Sequence, residues 1–376
     1  MPGYNKISLA ENYEIGVSLG LDCAATDPDL IPYIGTWSVA HDLDYVRQAL
    51  GRDKLSYLGH SYGTVLGGTY ASLFPDRVGH MVLDGVVDFN DYYIPKKDPA
   101  VDIGDADLAL SNFFQACHAA GQDNCVIWSR TVKGIRTRFM QADQQILNSP
   151  IPVPGYGLLK WPLWRSGVYT ALYRPSDGFP LLASVAAEIL NGTAGPYITA
   201  YMELVLSAAT AESTTLVDPK TGLRNSPNAA YFISCGDSGG TSDLTTSALA
   251  TLFNSYRKVS DFFAGVSLQY PLLCDGANLS VTPRFAQTFQ NVTTAGPIVF
   301  VGNTADPTTP LRNAQRMSRA FPSSRVLTVN GTGHISFNAA QDPECAASWI
   351  RGYFQNSTLP PLGTVCQGNQ MPFEQE

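Results

Sequence analysis

Hydrophobic and polar positions fall into two textures along this chain of 376 residues. Near the front, Val39, Leu43, Val46 and Leu50 recur at helical spacing and Gly51 stops the run. A helix is expected over 37–50, capped by Thr36 or Ser38. Lys54-Leu55-Ser56-Tyr57-Leu58 then reads as a short strand, Thr64 to Phe74 as a helix ended by Pro75-Asp76, and Val78 to Leu83 as a buried strand. Strand, helix, strand at this pitch predicts a parallel sheet. Gly67 and Gly68 fall inside that helix, at a cost of about 1 kcal/mol each unless close packing requires them. Earlier still, residues 13–19 alternate as a strand does, while Leu9, Tyr13, Val17 and Leu21 suit a helix equally well.

From about residue 90 the pattern changes. Helical stretches rich in Ala and aromatic residues are expected at 105–120, 131–147, 180–190 and 199–212, with turns at 149–155 and 218–228. The strand texture returns at Pro297-Ile298-Val299-Phe300-Val301-Gly302. A helix near 311–321, a strand at 325–329 and a helix near 343–355, with Pro343 in its first turn, complete the chain. The expected organisation is an α/β core in two parts, 1–89 and 296–376, interrupted by a mostly helical lid insertion over 90–295.

Candidate chemistry sits where strands end. Gly59-His60-Ser61-Tyr62-Gly63 is a G-x-S-x-G pentapeptide between a strand and a helix, the context of a nucleophile elbow. A serine nucleophile needs a base to take its proton and a carboxylate to orient that base. Asp306 directly follows strand 298–301 and His334 directly follows strand 325–329, in the chain order Ser, acid, base. The chain has five histidines. His60 lies beside the nucleophile, and His41, His80 and His118 suit surface or core roles. The predicted triad is Ser61, Asp306 and His334, with the Tyr62 N–H as one oxyanion donor.

Composition narrows the setting. Apolar content is 44% and net charge −8, with basic residues scattered, so neither a nucleic-acid nor an anionic-membrane partner is expected. No apolar run has the length of a membrane span, and the opening residues lack the apolar stretch of a signal peptide. Seven cysteines form no C-x-x-C and have no histidine cluster nearby, so no metal site and no cofactor is expected. Sequence neighbours suggest Cys117–Cys125 and Cys345–Cys366, with Cys235–Cys274 as the third pair and Cys23 left over. N-x-S/T sequons occur at Asn191, Asn278, Asn291, Asn330 and Asn356. Cysteines and sequons together lean towards an oxidising, secretory compartment for the full-length protein.

Four segments carry a family resemblance: Tyr57-Leu58-Gly59-His60-Ser61-Tyr62-Gly63-Thr64, Val82-Leu83-Asp84-Gly85-Val86-Val87-Asp88, Gly302-Asn303-Thr304-Ala305-Asp306-Pro307-Thr308-Thr309-Pro310 and Gly331-Thr332-Gly333-His334. From about residue 8 to residue 366 the chain resembles tripeptidyl aminopeptidase and proline iminopeptidase-like serine hydrolases. The resemblance implies an α/β-hydrolase fold, the three triad roles above, and release of short peptides or single residues from a free N-terminus. It also implies early strands and a Gly-Gly-Pro-Gly oxyanion loop, for which the sixty residues ahead of Ser61 have no counterpart. The first part of the sheet is therefore expected to be missing. Glu188, Glu203 and Glu212 are candidate lid carboxylates for a substrate ammonium, although a solvated helix face is the favoured reading of each. Trp161, Trp164, Tyr169 and Tyr173 are expected either to line an apolar pocket or to pack the lid. An esterase using the same triad on a small ester, and a catalytically impaired remnant, are the competing expectations.

Overall fold

The computed structural model describes residues 6–26, 28–95, 98–210, 216–217, 224–225, 228–239, 246–279, 281–340, 343–368 and 371–373. Its central feature is a five-stranded sheet of β1 (Leu55–His60), β2 (Val78–Asp84), β3 (Ile298–Ala305), β4 (Arg325–Thr332) and β5 (Val365–Gln367). The strands lie in that order, each parallel to its neighbour. Such a sheet needs cover on both faces, which is why Met81 to Leu83 and Ile298 to Val301 are unbroken apolar runs. Met81, Leu83, Ile298 and Phe300 point to one face, where they pack with Val65, Tyr70, Ala314 and Met317 from the helices Tyr62–Leu73 and Leu311–Ala320. Val82, Val299 and Val301 point to the other, under Ala346, Ile350 and Tyr353 of the helix Glu344–Asn356.

A second apolar cluster, separate from the sheet, fills the helical region between β2 and β3. Phe113, Phe139, Trp164, Phe179, Tyr201 and Phe263 are buried there. Of the turn expected at 149–155, residues 151–153 instead form a strand, which pairs with Gly157–Leu159 in a small antiparallel hairpin whose bend is 154–156.

The open question at residues 13–19 resolves to helix. Lys6–Thr26 is one helix packed along the helix Ala264–Ala277. The contact is backbone against backbone. A Cβ at Gly16 would lie 2.5 Å from the Leu273 carbonyl oxygen, one at Gly20 2.4 Å from that of Ala277, and one at Gly276 2.2 Å from that of Tyr13. This segment thus packs on the helical insertion, and β1 has β2 as its one strand neighbour among the described residues.

The helix Thr36–Ala49 forms where its spacing predicts but turns a different face inward. Thr36, Ala40, Asp44 and Arg47 are buried, whereas Val46 is 52% and Leu50 69% exposed, beside a Leu58 that is 43% exposed on the edge strand. The inward face is set by a polar cluster. Asp44 accepts from Arg47 (2.9 Å), Gln48 (2.5 Å), Tyr70 (3.1 Å) and Arg77, tying this helix to the next. Neither Thr36 nor Ser38 caps the helix; Gly35 occupies that position.

Disulfides join Cys117 to Cys125, Cys235 to Cys274 and Cys345 to Cys366. The last fastens β5, the other edge strand, to the helix beneath it. Asn191, Asn278, Asn291, Asn330 and Asn356 are all exposed. Among the described residues no helix is long and apolar enough to cross a membrane, and no cluster of His, Cys, Asp or Glu could hold a metal ion.

Candidate active site

Ser61 occupies the single residue between β1 and the helix Tyr62–Leu73, at φ 54° and ψ −121°. A non-glycine residue held there costs about 1–3 kcal/mol, and the surroundings fix it. A Cβ at Gly59 would lie 2.4 Å from the Gly63 carbonyl oxygen, so only glycine lets the two arms of the turn approach. Tyr57 Oη donates to that same oxygen at 2.7 Å, and Ser61 N–H donates to the Asp84 carbonyl at 3.0 Å. Gly67 and Gly68 have their packing reason as well. A Cβ at the first would meet Leu83 at 2.6 Å, and one at the second Phe89 at 2.3 Å. Tyr62 is the first residue of the helix, so its N–H has no intrahelical acceptor and stands at the positive end of the helix dipole.

Asp306 and His334 come together from the ends of β3 and β4. Both are buried. His334 Nδ1 lies 3.2 and 3.1 Å from the two Asp306 oxygens. The carboxylate also accepts the N–H groups of Thr308 (3.0 Å) and Thr309 (2.9 Å) and the Thr309 hydroxyl (2.8 Å). A carboxylate so surrounded is fixed in place and holds the imidazole through Nδ1. The backbone of the base is pinned too: His334 N–H donates to the Tyr173 carbonyl at 3.0 Å and Asn338 Nδ2 to the His334 carbonyl at 2.9 Å. The Tyr173 ring meets the imidazole edge-on at 4.9 Å. Burial pushes the Tyr173 hydroxyl up to about 12, so it remains protonated at neutral pH.

His334 Nε2 is buried and has no hydrogen-bond partner among the described residues, Ser61 included. Bonds of this kind are often long before substrate arrives. The other histidines are engaged elsewhere. His41 packs on Trp37 and Phe74, His80 meets Ser357 at 2.9 Å, and His118 meets the Arg130 carbonyl at 3.3 Å.

Ser61 opens into a cavity of about 420 Å³ bounded by core and lid. Tyr62, Tyr92, Tyr169, Tyr173 and Tyr231 supply aromatic walls, and Asp88, Asp91 and Asp102 supply carboxylates. No Lys, Arg or His is among the described residues lining it. Asp88 is backed by Arg316 at 3.0 Å, and Asp91 accepts the Asp98 N–H at 2.8 Å. Below the floor, buried Asp237 accepts from Thr36 through both N–H (2.9 Å) and hydroxyl, and from Tyr92 Oη at 3.0 Å. Burial raises its carboxyl above the usual range, against the bonds from Thr36 and Tyr92 that favour the charged form. Thr36 Oγ1 in turn meets Tyr62 Oη at 2.7 Å, so a lid carboxylate reaches the residue next to the nucleophile.

The candidate lid carboxylates lie elsewhere. Glu188 accepts the N–H groups of Tyr197 (3.2 Å) and Ile198 (2.7 Å) at the start of the helix Pro196–Thr210, and Glu203 pairs with Tyr156. Both are spent on helix capping and surface bonding, and Glu212 lies outside the described residues. Trp164 is lid core, its indole bonded to Asp143 at 3.1 Å, and Trp161 stacks on Arg165, whereas Tyr169 and Tyr173 line the cavity. Asp91, Asp102 and Asp237 escaped sequence reading because isolated aspartates carry no spacing signal. Asp88 had one, as the last residue of the Val82 to Asp88 motif.

Comparison with known proteins agrees with this architecture. A family profile described as the alpha/beta hydrolase fold matches residues 3–338. The serine protease Hip1 of Mycobacterium tuberculosis (strain ATCC 25618 / H37Rv) is 27% identical over 364 residues, covering 90% of this chain and 62% of that protein. Carboxylesterase B of Mycobacterium tuberculosis (strain CDC 1551 / Oshkosh) is 26% identical over 375 residues, 97% of this chain and 67% of that protein. The tripeptidyl aminopeptidase of Streptomyces lividans is 51% identical over a shorter stretch of 65 residues, 17% of this chain and 12% of that protein. The chain thus spans somewhat under two thirds of the Hip1 length. With the family profile running through the elbow serine, the acid and the base, the chain belongs to the alpha/beta hydrolase fold family.

Proposed function

We propose that this chain carries the catalytic machinery of a secreted serine peptidase that releases short peptides from free N-termini. Ser61 Oγ attacks the scissile carbonyl while His334 Nε2 takes its proton. Asp306 holds the imidazole and stabilises it when charged. The Tyr62 N–H receives the developing oxyanion, and His334 returns the proton to the leaving amine. Water then releases the acyl group from Ser61 by the same steps. Residues 90–295 act as the lid that closes the cavity. Three disulfides and five exposed sequon asparagines support an oxidising compartment.

The observation that carries the peptidase reading is the cavity itself. A peptide with a free N-terminus brings an ammonium group, and the space around Ser61 is lined by Asp91 and Asp102, beside an Asp88 already paired with Arg316, with no basic side chain among its described lining residues. An ester substrate has no use for that charge. The test compares a tripeptide p-nitroanilide having a free amine with its N-acetyl form and with p-nitrophenyl butyrate. Acetylation should lower kcat/KM about 100-fold, the scale of one lost charged contact. Equal turnover of both peptides, or turnover of the ester alone, would replace this reading with the esterase one.

A further inference from the structure

Asp84, the last residue of β2, is completely buried and has no part in the chemistry above. It nevertheless bonds both Ser61 and the turn that follows His334. Its backbone carbonyl accepts the Ser61 N–H at 3.0 Å. Its carboxylate accepts the Ser336 N–H at 3.0 and 3.1 Å and the Ser336 hydroxyl at 2.6 Å. Ser336 stands two residues past His334, beyond Ile335, a β-branched residue at φ 64°. Next to Asp84, the backbone of Gly85 backs the imidazole, since a Cβ there would lie 3.1 Å from His334 Cε1 and 2.8 Å from Ile335 Cγ2.

The turn carrying the base is therefore suspended between two carboxylates at adjacent strand ends. Ile335 N–H points to Asp306 at 3.4 Å, and the next N–H points to Asp84. Burial raises the Asp84 carboxyl while the bonds from Ser336 favour its charged form, and a left-handed Ile needs the restraint of such bonds to persist. His60, opposite Asp84 in the strand register, approaches its carboxylate to 3.8 Å without a hydrogen bond.

The geometry points to Asp84 as a positioning residue that sets the base-bearing turn against the nucleophile, by holding Ser61 through its carbonyl and Ser336 through its carboxylate. The inference rests on Ser61 and His334 being nucleophile and base, but not on the choice between peptide and ester.

The test is the rate at which a fluorophosphonate probe labels Ser61, read beside the melting temperature. Asp84→Asn should label 10- to 100-fold more slowly with KM for any turned-over substrate within twofold. Ser336→Ala, which keeps its N–H bond, should label three- to tenfold more slowly at unchanged melting temperature. The double variant should be no slower than Asp84→Asn, because both changes cut one connection. Labelling of folded Asp84→Asn within twofold of wild type, or penalties that multiply in the double variant, would overturn the assignment. Should Asp84→Asn fail to fold, Ser336→Ala decides, and unchanged labelling there overturns it. A wild-type chain that does not label removes the triad reading and this inference together, whereas normal wild-type labelling with unaffected variants removes this inference alone.

Discussion

Thr309 Oγ1 bridges the acid and the base: it donates to Asp306 Oδ2 at 2.8 Å and lies 3.1 Å from His334 Nδ1. With the Thr308 and Thr309 N–H groups on Oδ1, the carboxylate is held on several sides and cannot turn away from the ring. The imidazole therefore presents Nε2, and not Nδ1, to the nucleophile side.

From this follows a steep cost for Asp306→Asn. The side chain keeps its shape, yet its amide can donate to Nδ1 and so favours the tautomer with the proton on Nε2, where the base must accept. A loss of about 10⁴-fold in kcat is expected, on the scale of such a change in other serine hydrolases. Thr309→Val, which removes only the bridging hydroxyl, should cost about tenfold. Steady-state kinetics with circular dichroism as a folding control checks both.

Asp237 links lid to core, and Asp237→Ala should loosen that link. It removes the acceptor of the Thr36 N–H and one partner each of the Thr36 and Tyr92 hydroxyls, which keep Tyr62 and Ser234. A destabilisation of about 1–3 kcal/mol is expected for the buried N–H left without an acceptor. Because Tyr92 and Ser234 line the cavity, KM should rise more than kcat falls. A variant with normal KM and normal melting temperature would contradict this. The Cys235–Cys274 disulfide fastens the same helix two residues upstream, so its reduction should produce the same bias towards raised KM.

Asp44 gives a pH signature. Burial pushes its carboxyl up, but hydrogen bonds from Arg47, Gln48 and Tyr70 outweigh burial and hold it below the ordinary value of 3.8. A folded value below the unfolded one means the carboxylate stabilises the fold above pH 3.8, and that contribution is lost as pH falls through the folded value. Asp44→Asn should thus be less stable than wild type by about 2 kcal/mol at pH 7. The two melting curves should converge below pH 4. Parallel curves over the whole range would count against the assignment.

Much of the fold was legible because it is local. Parallel strands buried on both faces read as short apolar runs between turns, and β2, β3 and β4 begin within a residue of where their patterns do. The acid and base loops follow as consequences, since functional groups of open parallel sheets stand just past the strand ends. The inward face of Thr36–Ala49 was not legible: spacing selects Val46 and Leu50, whereas the fold buries Asp44 and Arg47 around Arg77 and Tyr70. The surroundings of Glu188 and Glu203 were open for a related reason. Helical spacing locates Glu188 and Glu203 on surfaces without saying which surface faces the serine.

The sequence by itself determined the tight turn at Ser61, the order of Ser61, Asp306 and His334, and the strands that carry them, because each depends on residues a few positions apart. The tertiary structure decided the rest. Residues 13–19 satisfy two periodicities, and only the backbone contacts of Gly16 and Gly20 with Leu273 and Ala277 select the helix. Asp237 meets Thr36 across 201 positions, and Asp84 meets Ser336 across 252. Each of these contacts forms only when a distant segment arrives to desolvate and bond a polar group, and local spacing contains no record of that arrival.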